Sequence, residues 1–368
     1  MAIKKIAILG AGNGGCAAAA DLTLRGFEVR LFSRSDKTLL PIMKRGGITL
    51  DEGGVKKFAA LSFVSPLIVP VVNGADLIVI AAPAVAHEYL AGSVAPHLSD
   101  GQIILLNPGH TGGCLHFAHL MRAAALRAKV KLCETVTLTY ICRMPQPTEV
   151  EVYRRTTNLR CAAFPADDTS ELVGEIGAVF PNIVAAENVL ETGFSNINAV
   201  MHPAGMLGNA GWIEKTGGDF LFYREGITPV IAAWIEEVDR ERLKIVSRLG
   251  MQPLRFIDIF HQAGLTSGEA RASGSVYRAI NESAPNRTIK SPPGLDHRYI
   301  REDVGYGLVP MSEIARLLGI KTPVMDALIS LASAAIGVDF RTEGLTLEKM
   351  GLDGVAAGDL RPLLQKGF

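Results

Sequence analysis

The sequence predicts an α/β fold: a doubly wound parallel sheet with added strands, followed by an all-α C-terminal domain. Three observations predict it. A glycine-rich turn ends the first apolar run, apolar strand patterns then alternate with helical patterns up to about residue 187, and helical patterns alone follow. A chain of 368 residues exceeds one ordinary core, so we expect two domains, over residues 1–187 and 188–368.

The elements of the first domain follow in a strand–helix rhythm. An apolar strand is predicted over residues 3–9, a helix over 16–25 that Gly26 ends, and a second strand over 28–32. The run 75–82 is apolar throughout, as a strand covered on both faces of a parallel sheet requires. Further strands are predicted at 102–106, at 130–140 and, as a pair, within 146–164, with helices at 87–98 and 115–128.

The second domain shows helical periodicity without strand runs. Its predicted helices are 188–212, 226–249, 253–264, 310–318 and 323–337. The segment 265–300 is rich in Ser, Gly, Pro and Arg, and an irregular excursion of this length in a compact domain is more often functional than idle. The apolar helix at 323–337 suits the interface of a homodimer.

Composition argues against two classes of partner. Basic and acidic residues both number 37, whereas nucleic-acid binders usually carry a basic excess. The longest apolar stretch, 328–338, is about half of a membrane span. The first apolar run leads straight into a glycine turn and is interpreted as a strand, not a signal peptide. Five cysteines without a CxxC pair indicate the reduced thiols of a cytoplasmic protein.

The glycine-rich turn has the spacing GxGxxG of a Rossmann domain, with Gly10, Gly12 and Gly15 in its three roles. The first glycine permits the tight turn, the second lets the backbone approach a pyrophosphate, and the third lets the helix pack close to the strand. Because this turn follows a strand and opens a helix, we predict that it and its neighbours Asn13 and Gly14 bind a nicotinamide dinucleotide. The alternative is a glycine-rich turn without a ligand.

The end of the second strand bears on the choice of cofactor. An NAD-binding domain usually places an acidic residue there, but this sequence has Ser33 and Arg34. A guanidinium binds a 2′-phosphate that a carboxylate would repel, so NADP(H) is the preferred cofactor and NAD(H) the alternative. Other cofactor contacts are predicted where two later strands end, at Ala82 and Pro83 and at Asn107, Pro108 and Gly109.

The first helix of the second domain carries a polar pair on an apolar background. Asn198 and His202 are four residues apart and therefore share one face, and Pro203 follows the histidine. Such a pair either forms hydrogen bonds within a core or lines a site. Cys114, His116 and His119 also lie close in sequence, but they lack the spacing of a structural zinc site, so no metal is predicted.

Motifs spread over nearly the whole chain resemble those of the octopine/opine dehydrogenase family: the glycine turn, ENVLETGFSNINAVMHP, YREGITP, RYIREDVGYGLVP and DFRTEGLTLEKMGL. The resemblance implies that His202 and Asp303 form a catalytic dyad and that Arg298 binds a substrate carboxylate. Asn198, which shares a helix face with His202, is predicted as a further substrate-binding residue. It also implies NAD(P)H-dependent reductive condensation of an α-keto acid with the amino group of an L-amino acid. Ser33 and Arg34 depart from relatives that carry an acidic residue and use NAD.

Two other functions remain open at this point. Dehydrogenases of simple hydroxy acids or alcohols, of the glycerol-3-phosphate or ketopantoate type, depend on a catalytic lysine, and this chain has none between Lys131 and Lys215. A non-catalytic dinucleotide-binding protein is the second alternative. For single residues, the alternatives are a surface ion pair of Asp303 with Arg301 and a structural ion pair for Arg298.

Overall fold

The computed structural model describes residues 3–124 and 126–368. The chain forms two compact units. The N-terminal unit contains the chain up to Thr192 together with Pro362–Phe368, and the helical unit is Gly193–Arg361. The boundary predicted from the sequence lies a few residues before Thr192, and that prediction assigned the C-terminal segment to the second domain.

The main sheet of the N-terminal unit has eight strands, and the first strand lies well inside it. The strands are β1 (Lys5–Leu9), β2 (Glu28–Phe32), β5 (Phe63–Ser65), β6 (Leu77–Ile80), β7 (Ile103–Leu106), β8 (Lys131–Thr135), β11 (Leu159–Ala163) and β12 (Ile183–Ala185). Their order is β12-β11-β8-β7-β6-β1-β2-β5, and every pair is parallel except β11 with β8. The predicted doubly wound sheet with added strands is confirmed.

A second sheet of four strands was not predicted as such. It contains β3 (Gly47–Glu52), β4 (Val55–Ala60), β9 (Tyr140–Gln146) and β10 (Glu149–Arg155), in the order β4-β3-β10-β9. The predicted strand at 130–140 is wrong in extent, because β8 ends at Thr135 in one sheet and β9 begins at Tyr140 in the other.

The first helix, α1 (Asn13–Leu24), packs against strands of both sheets. All residues from Gly14 to Leu22 are buried, because no side of this stretch faces solvent. Small side chains suit this position, since they let two layers of strands approach one helix. That packing explains why the alanine-rich run CAAAA stands where an amphipathic helix is usual.

The chain up to Phe194 forms further helices, and one more lies near the end of the chain. They are α2 (Asp36–Arg45), α3 (Ile68–Val72), α4 (His87–Val94), α5 (Gly113–Ala123), α6 (Thr169–Ile176), α7 (Val189–Phe194) and α18 (Leu360–Lys366). The chain crosses the boundary between the units within α7 and again within α18.

The helical unit contains no ladder of strands among its described residues, as predicted. Its helices are α8 (Ile197–Gly208), α9 (Ala210–Thr216), α10 (Pro229–Arg248), α11 (Phe256–Gln262), α12 (Gly268–Ala272), α13 (Val276–Asn281), α14 (Arg298–Asp303), α15 (Val309–Leu317), α16 (Pro323–Ile336) and α17 (Phe340–Glu343). Two π-helical turns occur at Phe222–Gly226 and Val304–Leu308. Across the described residues, no helix has both the length and the apolar character that spanning a membrane requires.

The single helix predicted over 188–212 is wrong, because it is broken into α7, α8 and α9. The Asn196 side chain accepts a hydrogen bond from the Asn198 N–H at 3.2 Å and so starts α8 as a separate helix. Asn209 then separates α8 from α9 and donates its side-chain amide to the Gly205 and Gly226 carbonyls.

Close packing around α8 places the elements that carry the candidate site. A Cβ added at Gly307, in the second π-helical turn, would lie 2.4 Å from Cβ of Ala199, so only glycine lets that turn approach α8 so closely. A Cβ at Gly205 would lie 2.7 Å from the Phe222 ring, which allows the first π-helical turn the same approach. The sequence thus brings both turns against one helix.

Candidate active site

The glycine-rich turn has a different geometry at each of its three key positions. Gly10 has φ +123°, and a Cβ there would lie 2.3 Å from the Ala81 carbonyl oxygen, so this position requires glycine. A Cβ at Gly15 would lie 1.8 Å from the Gly10 carbonyl oxygen, which keeps α1 close to β1. A Cβ at Gly12 would have no described atom within 4 Å, so this residue faces open space. These are the features that a pyrophosphate cradle requires.

A cavity of about 360 Å³ lies beside this turn. Its lining includes six of the predicted cofactor-binding residues, namely Gly10, Gly12, Ser33, Arg34, Ala82 and Pro83. Of the described residues in the lining, Arg34 alone is charged, and its guanidinium lies 4.1 Å from the centre of the Tyr89 ring. The Ser33 hydroxyl accepts a hydrogen bond from the Ser35 N–H at 3.2 Å. The cavity therefore has a positive charge at the strand end where NAD-binding domains usually have an acidic residue.

The other predicted cofactor residues lie outside this lining and carry contacts of their own. The Asn13 side chain accepts a hydrogen bond from the Met144 N–H at 3.1 Å, and a Cβ at Gly14 would meet the Leu138 side chain. Asn107 is buried, and its side-chain amide donates to the Thr139 hydroxyl at 2.6 Å. The side chain of Asn107 thus fixes the turn between β8 and β9, and the backbone N–H groups of Asn107 and Gly109 donate to the carbonyls of Ile80 and Thr135.

Glu134, at the end of β8, is a buried carboxyl that sequence reasoning missed. Its Oε2 accepts a hydrogen bond from the Cys114 N–H, and its Oε1 lies 2.5 Å from the Thr192 hydroxyl oxygen. That hydroxyl also lies 2.9 Å from the Val189 carbonyl oxygen, which can only accept. Burial raises the pKa of Glu134 to about 8, despite the opposing effects of Thr192, the Cys114 N–H and His110. A protonated Glu134 can donate to Thr192 while Thr192 donates to Val189, so every polar atom is satisfied.

Replacing Glu134 by Gln is expected to make the protein more stable than wild type as the pH rises. Because the pKa of Glu134 is raised, its contribution to the free energy of unfolding is complete below pH 4.5, the ordinary pKa of a glutamate. That contribution is lost as the pH rises to about 8. At every pH the Gln amide donates to Thr192 and its carbonyl accepts from Cys114. The variant therefore avoids the fall in the free energy of unfolding, roughly 1.4 kcal/mol per pH unit, that wild type undergoes in this range. Melting temperatures from about pH 5 to 9 measure the difference. Glu88→Gln, on the surface of the same unit, should follow wild type, and a pH-independent difference for Glu134→Gln would contradict the assignment.

His202 and Asp303 meet in the interior of the helical unit. His202 lies on α8 and Asp303 ends α14, and these two helices pack against each other. The Nδ1 atom of His202 lies 2.7 Å from Oδ2 of Asp303, and both side chains are about 95% buried. The alternative for Asp303, an ion pair with Arg301, is wrong, because Arg301 pairs with Asp296 instead.

Three aromatic side chains complete the surroundings of the imidazole. The Tyr223 hydroxyl lies 2.9 Å from Nε2 of His202, and the Tyr299 ring stacks on the imidazole with centroids 3.7 Å apart. The Phe222 ring lies edge-to-face with the imidazole, with centroids 6.2 Å apart. Tyr223 belongs to the YREGITP motif, so the sequence carried a signal for it, but its contact with His202 was not predicted.

Arg298 opens α14 and forms an ion pair with Glu302, at 2.7 Å between Nη2 and Oε2. Burial opposes the charged form, but the carboxylates of Glu302 and Asp303 outweigh it and raise the pKa of the guanidinium. Glu302 is buried, whereas 60% of the Arg298 side chain is exposed. The ion pair therefore leaves donors of Arg298 free to meet a second anion. Burial, then the charges of Arg298 and His202, lower the pKa of the neighbouring His297.

Asn198 is exposed at the start of α8, and within the described residues no hydrogen bond joins its side chain to His202 or Asp303. The structure thus brings together His202, Asp303 and the segment of Arg298, and Asn198 is exposed one helical turn before His202. Within residues 3–124 and 126–368, no group of three or more His, Cys, Asp or Glu side chains is arranged to hold a metal ion.

Comparison with known proteins assigns the two parts of the chain separately. The family "NAD/NADP octopine/nopaline dehydrogenase, alpha-helical domain" matches residues 185–336, and the family "Ketopantoate reductase PanE/ApbA" matches residues 6–111. Over 98% of its length the chain is 36% identical to an opine dehydrogenase of Arthrobacter sp. (strain 1C), of which it covers 99%. The chain belongs to the opine dehydrogenase family. As a member of this family it is an NAD(P)-dependent oxidoreductase.

Solved structures of opine dehydrogenases share the fold. An octopine dehydrogenase in complex with NADH and agmatine matches with a TM-score of 0.80 and 21% identity, over 96% of this chain and 98% of that one. A yersinopine dehydrogenase with NADP⁺ bound matches with a TM-score of 0.76 and 15% identity, over 99% and 98%. At these identities the likeness concerns the fold, and the family assignment rests on the sequence.

Proposed function

We propose that this opine dehydrogenase reduces the imine formed from an α-keto acid and the amino group of an L-amino acid. The observation that carries the proposal is the 2.7 Å contact between His202 Nδ1 and Asp303 Oδ2, buried in the helical unit of a chain from this family. Support for the substrate classes comes from octopine dehydrogenase structures that contain NADH with pyruvate or with L-arginine.

The N-terminal unit is proposed to hold the dinucleotide, which supplies the hydride. Gly10, Gly12 and Gly15 have the geometry of a pyrophosphate cradle, and the first turn of α1 offers the backbone N–H groups of Asn13 and Gly14. Ser33 and Arg34 would take the 2′-phosphate of NADP(H), which we propose as the preferred cofactor over NAD(H). Ala82, Pro83 and the backbone of Asn107, Pro108 and Gly109 are proposed as the remaining contacts.

The dyad is proposed to supply the proton. When a hydride adds to an imine or keto carbon, negative charge develops on nitrogen or oxygen, and a nearby imidazolium can donate a proton to it. Asp303 accepts from Nδ1 of His202, which orients the ring. In the oxidative direction His202 has to start neutral and accept the proton.

Arg298 is proposed to bind the carboxylate of the α-keto acid. A guanidinium can grip a carboxylate through two N–H donors, and Arg298 keeps most of its side chain exposed beyond its pair with Glu302. Asn198, exposed at the start of the helix that carries His202, is proposed as a second substrate contact.

Arg298→Ala is expected to raise the KM for the keto acid by about 10- to 150-fold, the equivalent of roughly 1.5–3 kcal/mol for a hydrogen bond to a charged group. The Kd for the dinucleotide should stay within about twofold, because of the two ligands only the keto acid is proposed to bind Arg298. Steady-state kinetics and dinucleotide titration measure the two effects.

The matched control is Arg301→Ala, which removes an arginine of the same helix that pairs with exposed Asp296. It should leave both constants unchanged. Arg298→Lys is a second variant that keeps a positive charge beside buried Glu302. It separates the loss of the guanidinium from a loss of folding caused by an unpaired Glu302. Equal effects of Arg298→Ala on both constants would mean that the residue only supports the structure.

The proposed function is tested by following NADPH and NADH oxidation with pyruvate and a panel of L-amino acids. We expect turnover to require both substrates and to yield a secondary amine, which mass spectrometry detects. Reduction of the keto acid without an amino acid would identify a simple hydroxy-acid dehydrogenase, as the ketopantoate reductase match of residues 6–111 suggests. That activity relies on a catalytic lysine, and α8 contains none. Dinucleotide binding without any turnover would identify a binding protein.

A further inference from the structure

Both ring nitrogens of His202 are engaged by other side chains. Nδ1 lies 2.7 Å from the Asp303 carboxylate, and Nε2 lies 2.9 Å from the Tyr223 hydroxyl. An ionised carboxylate only accepts hydrogen bonds, so Nδ1 keeps its proton whether the ring is neutral or charged. Nε2 is therefore the nitrogen that gains and loses a proton, and the group it faces is a phenol.

Tyr223 is held firmly in this position. It is 5% exposed, and its ring packs edge-to-face on Phe222 with centroids 5.1 Å apart and an interplanar angle of 89°. The imidazole is fixed in turn by its stack on Tyr299. Moving the hydroxyl away from Nε2 would require a buried aromatic ring to leave its packing, which is costly.

The Tyr223 hydroxyl also connects the buried imidazole with a residue nearer the surface. The Tyr223 and Tyr299 hydroxyls lie 3.3 Å apart, and Tyr299 is partly exposed, whereas His202 and Asp303 are buried. A phenol can accept one hydrogen bond and donate another at the same time. The hydrogen bonds therefore run in series from the carboxylate through the imidazole to a hydroxyl nearer the surface.

We propose that Tyr223 is a catalytic residue that relays the proton between His202 and the substrate, an inference that rests on the proposed function. In the reductive direction the Nε2–H bond of the imidazolium breaks as the Tyr223 oxygen gains that proton. The O–H bond of Tyr223 breaks at the same time, and its proton passes to the substrate nitrogen or oxygen. Tyr223 ends neutral as it began, His202 ends neutral, and Asp303 stays ionised. In the oxidative direction both transfers reverse.

The competing role for the hydroxyl is that of a placeholder, which swings aside when substrate arrives so that His202 acts directly. The two roles differ in the consequence of deleting one oxygen. A relay loses its only route for the proton, whereas removing a placeholder leaves Nε2 free and costs nothing in kcat.

Tyr223→Phe deletes that oxygen and keeps the ring on Phe222. With the proposed substrates we expect kcat to fall by about 10²- to 10⁴-fold, the range for a lost general acid. Melting temperature and dinucleotide Kd should stay those of wild type. Tyr153→Phe, an exposed tyrosine of β10, is the matched control and should keep full activity. A Tyr223→Phe enzyme with the kcat of wild type would overturn the relay while leaving the proposed function intact, since wild-type turnover tests that function alone.

A second measurement excludes a purely structural role. Tyrosines of graded fluorination, inserted at position 223, keep the hydroxyl and the shape but make the phenol progressively more acidic. If the proton passes through this hydroxyl, log kcat should vary systematically with phenol acidity, and a flat response would overturn the relay. A third test does not depend on activity: the ¹⁵N resonance of His202 Nε2 should shift between wild type and Tyr223→Phe, and an unchanged resonance would refute the contact itself.

Discussion

His202→Ala, Asp303→Asn and the double variant are each expected to lower kcat by about 10²- to 10⁴-fold, with the double variant little worse than either single one. In the proposed mechanism the two residues work as one unit. Without His202 no imidazole exchanges the proton, and without the Asp303 carboxylate the imidazole loses the partner that orients it, 2.7 Å from its Nδ1.

Single-turnover rates with the proposed substrates measure these losses, and the wild-type and three variant rates form a double-mutant cycle. Dinucleotide binding should survive all three changes, since the dinucleotide is proposed to bind the N-terminal unit. Asp296→Asn is the matched control, because Asp296 is an exposed carboxylate close in sequence that pairs with Arg301. Losses that multiply in the double variant would show that His202 and Asp303 act independently, and a His202→Ala enzyme with most of its turnover would refute the dyad.

The sequence predicts the fold where the signal is local. The strand–turn–helix around Gly10 to Gly15 was predicted because the GxGxxG spacing between an apolar strand and a helix is a signal contained in a few consecutive residues. The second sheet was missed because β3 pairs with β10, about a hundred residues later in the chain, and neither β3 nor β4 shows the alternation of a half-buried strand.

The candidate site divides in the same way. His202 and Asp303 are far apart in sequence, so no periodicity relates them, and only the resemblance of two motifs to one family paired them. Tyr223 lay in a third such motif, but its contact with Nε2 depends on Gly205 letting the Phe222–Gly226 turn reach α8. Glu134 could not be predicted, because the sequence does not show that Thr192 lies beside it.

The cofactor preference is expected to be large and reversible. Wild type should prefer NADPH over NADH by about 10- to 150-fold in kcat/KM, which corresponds to roughly 1.5–3 kcal/mol for the pair between Arg34 and a 2′-phosphate. Arg34 is the one charged residue in the described lining of the cavity, and its stack on Tyr89 holds the guanidinium at the end of β2. No carboxylate of that lining would compete for it or repel the phosphate.

The double variant Ser33→Asp/Arg34→Ala should prefer NADH. An aspartate at position 33 can still accept the Ser35 N–H bond that the serine hydroxyl accepts at 3.2 Å, so the turn after β2 should persist. The same carboxylate can accept hydrogen bonds from the ribose hydroxyls and repels a 2′-phosphate, while the loss of Arg34 removes the phosphate's partner. Lys37→Ala, which removes an exposed positive charge outside the lining, is the matched control and should keep the wild-type preference. A wild-type enzyme that prefers NADH tenfold or more would refute the proposed role of Ser33 and Arg34. That result would leave the proposal for His202 and Asp303 standing, because proton transfer by His202 does not depend on the 2′ position of the dinucleotide.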